Sequence, residues 1–344
     1  MGEATVEPSH PHSQWKTRAL KWLRVLSWEY FTLLFGWAIA HMIWGDSLWW
    51  LFMFNALAVW LFAPLPVIFL IACLVRKREV WVATGLVFLL GIVLFGRAYL
   101  PRMAAPALPG QAITVMTYNV MGFNDRPDQV VETILATQAD IVTLHELNPT
   151  VAKAIRQTLR TEYPYQELDP QEKYSGSGVI SRYPLVLAEE RLPGTWLGAA
   201  YVFHATVAGK QVTVLQAHTP ATGLGSIPYL EQTISNREEH ARIIKDFVET
   251  HPGPLIAPID FNSTTLNTSY RIVTTVLSDA WLEVGWGLGH TFPAGTHSPV
   301  SIPLVRIDYI FYSHHFQATD AWLGPWDGAS DHHPVLARLV LRSD

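Results

Sequence analysis

Three stretches of the chain, residues 30–45, 47–75 and 80–96, contain no Asp, Glu, Lys or Arg and are dominated by Leu, Trp, Phe, Val and Ile. About 20 helical residues cross a bilayer core of roughly 30 Å. Three closely spaced uncharged runs with so many tryptophans are hard to bury inside a small soluble domain. The pattern therefore predicts three transmembrane helices. The middle run is longer than one crossing needs, so it should tilt, or kink at Pro64 and Pro66, which lack backbone donors. A cleaved signal peptide would supply only one short apolar region. Lys16, Arg18, Lys21 and Arg24 precede the first run, and Arg76, Lys77 and Arg78 separate the second from the third. The turn at Gly45-Asp46 carries no basic residue, and the exit from the third run carries only Arg97 and Arg102. Basic flanks favour the cytoplasmic side. The expected protein is integral to the cell membrane, with its N-terminus inside and its C-terminal domain extracytoplasmic.

These runs divide the chain. Residues 1–100 hold the N-terminal tail and the three helices, residues 101–110 form a short stiff linker with three prolines, and residues 111–344 suffice for one domain with a sizeable core. Charge is uneven: the first 106 residues carry 9 Lys and Arg against 5 Asp and Glu, and the remainder 15 against 24, which together give the chain's −5. Proteins that bind duplex nucleic acid avidly usually display a basic face, so this acidic domain argues against nucleic acid as the favoured partner. The single cysteine, Cys73, lies in the second run, so no disulfide forms within the chain.

After the linker, strand-like and helix-like segments alternate without internal repeats. Residues 113–120, 140–147, 178–181, 200–207 and 211–217 read as strands, the last two joined by a turn at Ala208-Gly209-Lys210. Residues 128–138, 150–159 and 229–250 read as helices, the last with 236–239 on its polar face and a stop at His251-Pro252-Gly253-Pro254. Strands return at 254–260, 306–312 and 334–341. The mixed order with hairpins suggests two sheets packed face to face with helices outside.

The apolar runs end in chemistry. They lead into Asn119, Glu146, His218, Asp260-Phe261-Asn262 and Asp308, with Ser330-Asp331-His332 following. Strands hold their end residues rigidly, and a hard cation such as Mg²⁺ prefers carboxylate and amide oxygens to thiolates. Asn119 suits a phosphate oxygen, a metal-bound water or an ordinary turn. Glu146 follows an apolar strand and needs a partner or exposure, so it is a metal ligand or a solvated strand end. His145 should point to the opposite face and be structural. Asp260 and Asn262 face one way while Phe261 faces the core, which suits a base beside a phosphate-gripping donor, or an Asx turn. The sequon Asn262-Ser263-Thr264 reads as coincidence. Arg306 and Asp308 should share one side of their strand. Asp331 and His332 pair an acid with an imidazole, and His218 supplies a second imidazole. Taken singly, each histidine is also compatible with a packing role.

In chain order, Tyr118-Asn119, Leu144-His145-Glu146-Leu147, Ser175-Gly176-Ser177-Gly178-Val179-Ile180-Ser181-Arg182-Tyr183-Pro184, His218, Asp260-Phe261-Asn262, Arg306-Ile307-Asp308-Tyr309-Ile310 and Ser330-Asp331-His332-His333-Pro334 resemble the ordered motifs of the endonuclease/exonuclease/phosphatase superfamily, over residues 112–344. That superfamily includes pancreatic deoxyribonuclease, apurinic endonucleases, neutral sphingomyelinases and inositol polyphosphate 5-phosphatases. The resemblance implies a four-layer α/β sandwich of two packed mixed β-sheets flanked by helices. It also implies phosphoester cleavage by an activated water with Mg²⁺, Mn²⁺ being the alternative cation. Carried over, Glu146 is the main metal ligand, joined by Asn119 and Asp331. Asp260 positions or deprotonates water. Asn262, Asn119 and His218 serve the phosphate, and His218 alternatively assists the leaving group. His332, oriented by Asp308, stabilises developing charge.

Two residues depart from the pattern: Ile259 stands where the family usually has Gly, and His145 where it usually has Gln. These leave the fine geometry open. The leading expectation for the substrate is a lipid headgroup or small phosphoester, cleaved as a diester or monoester beside the bilayer. An extracytoplasmic nuclease acting on DNA or RNA is the alternative, and a catalytically inactive receptor for phosphorylated ligands is a third. The aromatic-rich segment 281–292, followed by 293–304, is expected to form a loop near the site, or to serve packing.

Overall fold

The computed structural model describes residues 11–100, 109–198, 200–223, 225–295, 302–326 and 328–342, so most of the expected linker and part of the 293–304 loop lie outside the described residues. The chain forms two compact units, Met1–Gly45 with Leu57–Arg97, and Asp46–Ala56 with Ala98–Asp344.

The first unit contains α1 (Pro11–Trp44). The next helix in the chain, α2 (Trp49–Ala56), belongs to the second unit, and the first then resumes with a 3₁₀ turn over Ala58–Phe62, α3 (Leu65–Val75) and α4 (Arg78–Phe95). Phe31, Leu34, Trp37 and Ala40 recur every three residues on α1 and are buried where it packs on α3 and α4, while Leu33, Ile39, Met42 and Ile43 are exposed. Two stretches, Ala58–Val75 and Arg78–Tyr99, are long and apolar enough to cross a membrane. The run 47–75 is therefore not one tilted helix. Its prolines do not kink a helix; they start one, because Pro64 and Pro66 sit at the head of α3, where the missing N–H groups have no intrahelical partner to lose.

The second unit is built on two six-stranded sheets. Its elements are β1 (Gly110–Asn119), α5 (Pro127–Thr137), β2 (Ile141–His145), α6 (Pro149–Thr158), β3 (Tyr165–Asp169), β4 (Ser177–Ser181), β5 (Leu185–Arg191), β6 (Tyr201–Val207), β7 (Lys210–His218), α7 (Ile227–Thr250), β8 (Leu255–Asp260), α8 (Thr268–Val273), β9 (Ser278–Asp279), α9 (Ala280–Val284), β10 (Asp308–Tyr312), β11 (Phe316–Leu323) and β12 (Val335–Arg342). One sheet has the order β11-β12-β1-β2-β4-β3 and the other β5-β6-β7-β8-β10-β9. Central strands read as continuous apolar runs because both of their faces are covered. In β1, Ile113 and Val115 enter the core between the sheets, whereas Met116 and Tyr118 enter the core shared with Val130, Ile134, Val151 and Ile155 of α5 and α6. A third core joins Leu215, Ile259 and Phe311 of the other sheet to Ala241 and Ile244 of α7 and to Tyr270 of α8. The result is the expected four-layer sandwich.

Its topology places the site. β1 runs parallel to β2, and β7 parallel to β8, so their C-terminal ends lie at one end of the sandwich. β10 is antiparallel to β8 and β12 antiparallel to β1, so the starts of β10 and β12 lie at that same end. The register pairs Asp308 directly with Asp260.

Two expectations about cations are corrected. Arg306 precedes β10 and does not share a side with Asp308. Its guanidinium makes two hydrogen bonds to Asp279, at 2.7 and 3.0 Å, and lies 4.5 Å from the centroid of the Tyr309 ring. The same Asp279 caps α9 through the Trp281 and Leu282 amides and accepts from the Tyr270 hydroxyl. Because the ion pair is buried, Arg306→Leu should destabilise the protein by about 3–5 kcal/mol. Denaturation of the full-length protein in detergent measures this, and a loss under about 1 kcal/mol would deny the pair its structural role. Arg237 is likewise not on a polar face. It is buried at 1% exposure, stacks 4.6 Å over Phe52 of α2 and donates to the Pro220 carbonyl. Nearby, the buried Asp46 carboxylate accepts from Asn55 Nδ2 at 2.7 Å, the Thr268 amide at 2.6 Å and Asn267 Nδ2. Segment 46–56 is thereby sewn onto the sandwich.

Candidate active site

At the shared end of the two sheets, Asn119 forms a bridge. Its Nδ2 donates to Glu146 Oε1 at 3.0 Å and to Asp260 Oδ2 at 2.9 Å, while its Oδ1 accepts from the Met121 amide. Asn119 thus ties one carboxylate of the first sheet to one of the second. Glu146 sits just past β2 with φ of +56°, in the left-handed region that a non-glycine residue enters only at a cost of about 1–2 kcal/mol. That turn ends strand alternation and aims the carboxylate at Asn119. Its other oxygen accepts from the Gly122 amide at 2.9 Å. Only glycine fits there, since a Cβ on Gly122 would lie 1.8 Å from the Lys173 carbonyl oxygen. Burial pushes the Glu146 carboxyl upward despite these hydrogen bonds.

Asp260 is fully buried, its pKa raised to about 7 by burial and by the neighbouring Asp308 charge. Asn262 turns back with φ of +46°. Its Nδ2 lies 3.3 Å from His218 Nε2 and donates to the Thr219 carbonyl at 3.0 Å. His218 Nε2 is also 3.4 Å from Asp260 Oδ2. Across the site, His332 Nδ1 donates to Asp308 Oδ2 at 2.9 Å. Burial works against charge on His332, but the Asp308 carboxylate outweighs it and lifts the pKa to about 10. His218 goes the other way, to about 4, because burial dominates. At neutral pH His332 is therefore cationic and His218 neutral. The two imidazoles are not equivalent.

Asp331 is half-buried, and its charge helps hold the proton on His332. Asp260, Asp308 and His332 each bring one ligand atom within 4.8 Å of the others, the one such group of three among the described residues. Asp308 Oδ1 is buried without a hydrogen-bond partner. Hard oxygen donors, an orphaned buried carboxylate oxygen and two adjacent carboxylates suit a divalent cation.

The two departures are absorbed differently. Ile259 points away from the site into the core beneath α7 and α8, so its bulk does not crowd Asp260. His145 lies between the sheets, with Nε2 3.0 Å from Thr117 Oγ1, Nδ1 3.2 Å from Gln216 Nε2 and its ring 5.7 Å from His218. It supports the site from below. Ser330 was not singled out for a role, yet its hydroxyl donates to the Asn119 carbonyl at 2.6 Å and accepts from the His332 amide at 3.0 Å. Segment 281–292 divides: Trp281 is core, and the Phe292 ring lies 4.8 Å from His332.

The raised His332 pKa links the site to stability. A histidine that stays protonated to about 10 when folded, but only to its ordinary 6.5 when unfolded, contributes stability that is complete below 6.5 and lost between 6.5 and 10. Thermal denaturation of metal-free protein should show that decline, and His332→Gln should remove it.

No curated protein matches the chain in sequence. Among solved structures, it is similar to an endonuclease/exonuclease/phosphatase family protein from Bacteroides thetaiotaomicron, with 20% identity over 68% of this chain and 99% of that one and a TM-score of 0.54. It is similar to one from Beutenbergia cavernae, with 22% identity over 68% and 72% and a TM-score of 0.54. It is also similar to D. rerio TDP2 complexed with a single-strand DNA product, with 17% identity over 67% and 99% and a TM-score of 0.54. At these identities the likeness establishes the fold. The family model matches residues 116–332, well over half of the chain, and spans every residue of the site. The chain belongs to the endonuclease/exonuclease/phosphatase family and is a hydrolase acting on ester bonds.

Proposed function

We propose that the chain is a membrane-tethered, Mg²⁺-dependent phosphoesterase in which residues 1–100 hold the anchor, except for segment 46–56, which belongs with the catalytic unit, while 101–110 are the linker and 111–344 the extracytoplasmic catalytic domain. The observation that carries the reading is the buried His332–Asp308 pair opposite Asp260. It sets a persistent cation beside a carboxylate poised between its ionised and neutral forms. Asp260 takes the proton of the attacking water. His332, kept charged by Asp308, meets the negative charge that grows on the phosphate. Asn262 and neutral His218 orient the phosphate through hydrogen bonds, and Asn119 keeps Glu146 and Asp260 in register. Glu146, with Asn119 and Asp331, would hold the cation, and the paired Asp260 and Asp308 carboxylates, tied to Glu146 through Asn119, would supply further oxygens to it. When bound, such an ion neutralises phosphate charge and lowers the pKa of water.

Support for the tether comes from the first unit. Beyond its two span-length stretches, α1 carries exposed Leu33, Ile39, Met42 and Ile43, an apolar surface of the kind that faces lipid. Segments 46–56 and 98–344 belong to one compact unit, so they lie on one side if α3 and α4 both cross. The basic flanks point that side outward.

A lipid headgroup or small phosphoester is the substrate class this placement favours. The test is a Mg²⁺-dependent screen of phospholipids, nucleotides, DNA and RNA with the full-length protein in detergent. Hydrolysis of lipid or small phosphoesters is expected. Rapid degradation of nucleic acid with no lipid turnover would replace this reading with a nuclease.

A further inference from the structure

A cavity of about 430 Å³ opens where the edge strands β3 and β5 bring the two sheets together. Glu167, Asp169, Ser177, Arg191, Tyr201 and Phe203 line it. The pleat explains why these side chains meet. Asp169 pairs across to Ser177, and Ser177 to His145, so all three emerge on the face between the sheets. Opposite them, Arg191 pairs with Tyr201 on the second sheet. His145 in turn neighbours Asn119. With strands about 4.8 Å apart, Ser177 stands roughly 10 Å from Asn119 along this row.

One atom in the cavity lacks an explanation within the fold. Ser177 is 3% exposed, and its hydroxyl has no hydrogen-bond partner. Buried polar groups are almost always satisfied, and one left unmatched costs stability. The surrounding chemistry narrows what would satisfy it. The Tyr201 hydroxyl donates to Asp169, and the Arg191 guanidinium lies 5.0 Å over the Tyr201 ring. A cationic ligand would meet that guanidinium, and an anionic one would meet the carboxylates of Glu167 and Asp169. A hydroxyl both donates and accepts, so it suits both sides.

We propose that this cavity binds a neutral, hydroxyl-rich group, a sugar or polyol, with Asp169, Glu167 and Ser177 as hydrogen-bond partners and the Tyr201–Phe203 wall against its C–H face. The volume lies within the range of small-molecule sites. The group arrives either as a free sugar or as the alcohol part of an extended phosphoester.

Binding is read without turnover, so the result is independent of the phosphoesterase reading. Full-length protein in a detergent lacking a sugar headgroup is titrated calorimetrically with methyl glucoside and with myo-inositol, in the absence of metal. At least one should bind, Asp169→Asn and Ser177→Ala should each weaken binding by about tenfold, and Asp260→Asn should leave it unchanged. Binding of neither probe, equal affinity in both cavity variants, or preferential binding of choline or inorganic phosphate would overturn the proposal. A second arm assigns the source. A rise in KM for a phosphoester whose glucosyl group is joined to the phosphate through a chain of about 10 Å, in the cavity variants, with kcat and the KM for p-nitrophenyl phosphate unchanged, identifies the substrate's own alcohol. Unchanged KM values beside weakened binding of the free probe identify a free sugar.

Discussion

Asp260→Asn should lower kcat by about 10²–10⁴-fold, the range associated with a positioned general base. The substitution keeps the shape of the side chain and its place opposite Asp308, so folding should survive. What it removes is the ability to accept a proton. The wild-type carboxyl, raised to about 7, is matched to neutral pH, and in the proposed mechanism its ionised form is the active one. The rate should therefore rise with pH as Asp260 ionises, through about 7 or below it once a cation shares the site. It should fall as His332 loses its proton towards 10. The pH profile of kcat/KM tests both limbs, and in Asp260→Asn the rising limb should vanish from whatever activity remains.

The second large effect is expected at His332. His332→Gln preserves a hydrogen-bond donor but removes a positive charge that is buried and aimed at the site. Loss of one preorganised stabiliser of transition-state charge costs about 10²–10³-fold in kcat. Because the charge is maintained by Asp308 at 2.9 Å, Asp308→Asn should lower the His332 pKa and move the falling limb of the pH profile to lower pH. A packing role for Asp308 would not move that limb. The two losses should not multiply. Residues that act as one unit give a double variant about as slow as the worse single variant, so Asp260→Asn combined with His332→Gln separates one catalytic unit from two independent lesions.

How much of this was legible in the sequence depends on whether the signal was local. The strands carrying Asn119, Glu146, His218, Asp260 and Asp308 announced themselves as apolar runs ending in polar residues, because strands covered on both faces must be apolar until they emerge. The helices over 127–137, 149–158 and 227–250 were likewise visible in their spacing. Residues whose position depends on a partner far along the chain were not. Arg306 was placed beside Asp308 by strand alternation, but β10 begins only at Asp308, so the alternation does not reach Arg306 and Asp279 draws its side chain elsewhere. Arg237 looked like a solvated helix face, and nothing local showed that Phe52, from the apolar N-terminal region, would cover it. The same contact explains why the run 47–75 was read as one span: apolarity does not tell lipid from the interior of the folded unit that segment 46–56 joins. Glu146 was found, but its left-handed turn was not, and neither was the opposite charge state of the two imidazoles, which arises from burial and from Asp308.

The most direct test is the rate of bis(p-nitrophenyl) phosphate hydrolysis by full-length protein in detergent, with Mg²⁺ and after chelation, for the wild type beside Asp260→Asn. The predicted result is hydrolysis by the wild type that chelation abolishes and Mg²⁺ restores, with the variant slower by at least a hundredfold in Mg²⁺, about the low end for loss of a general base. Hydrolysis that persists after chelation, or an equal rate in the variant, would contradict the account.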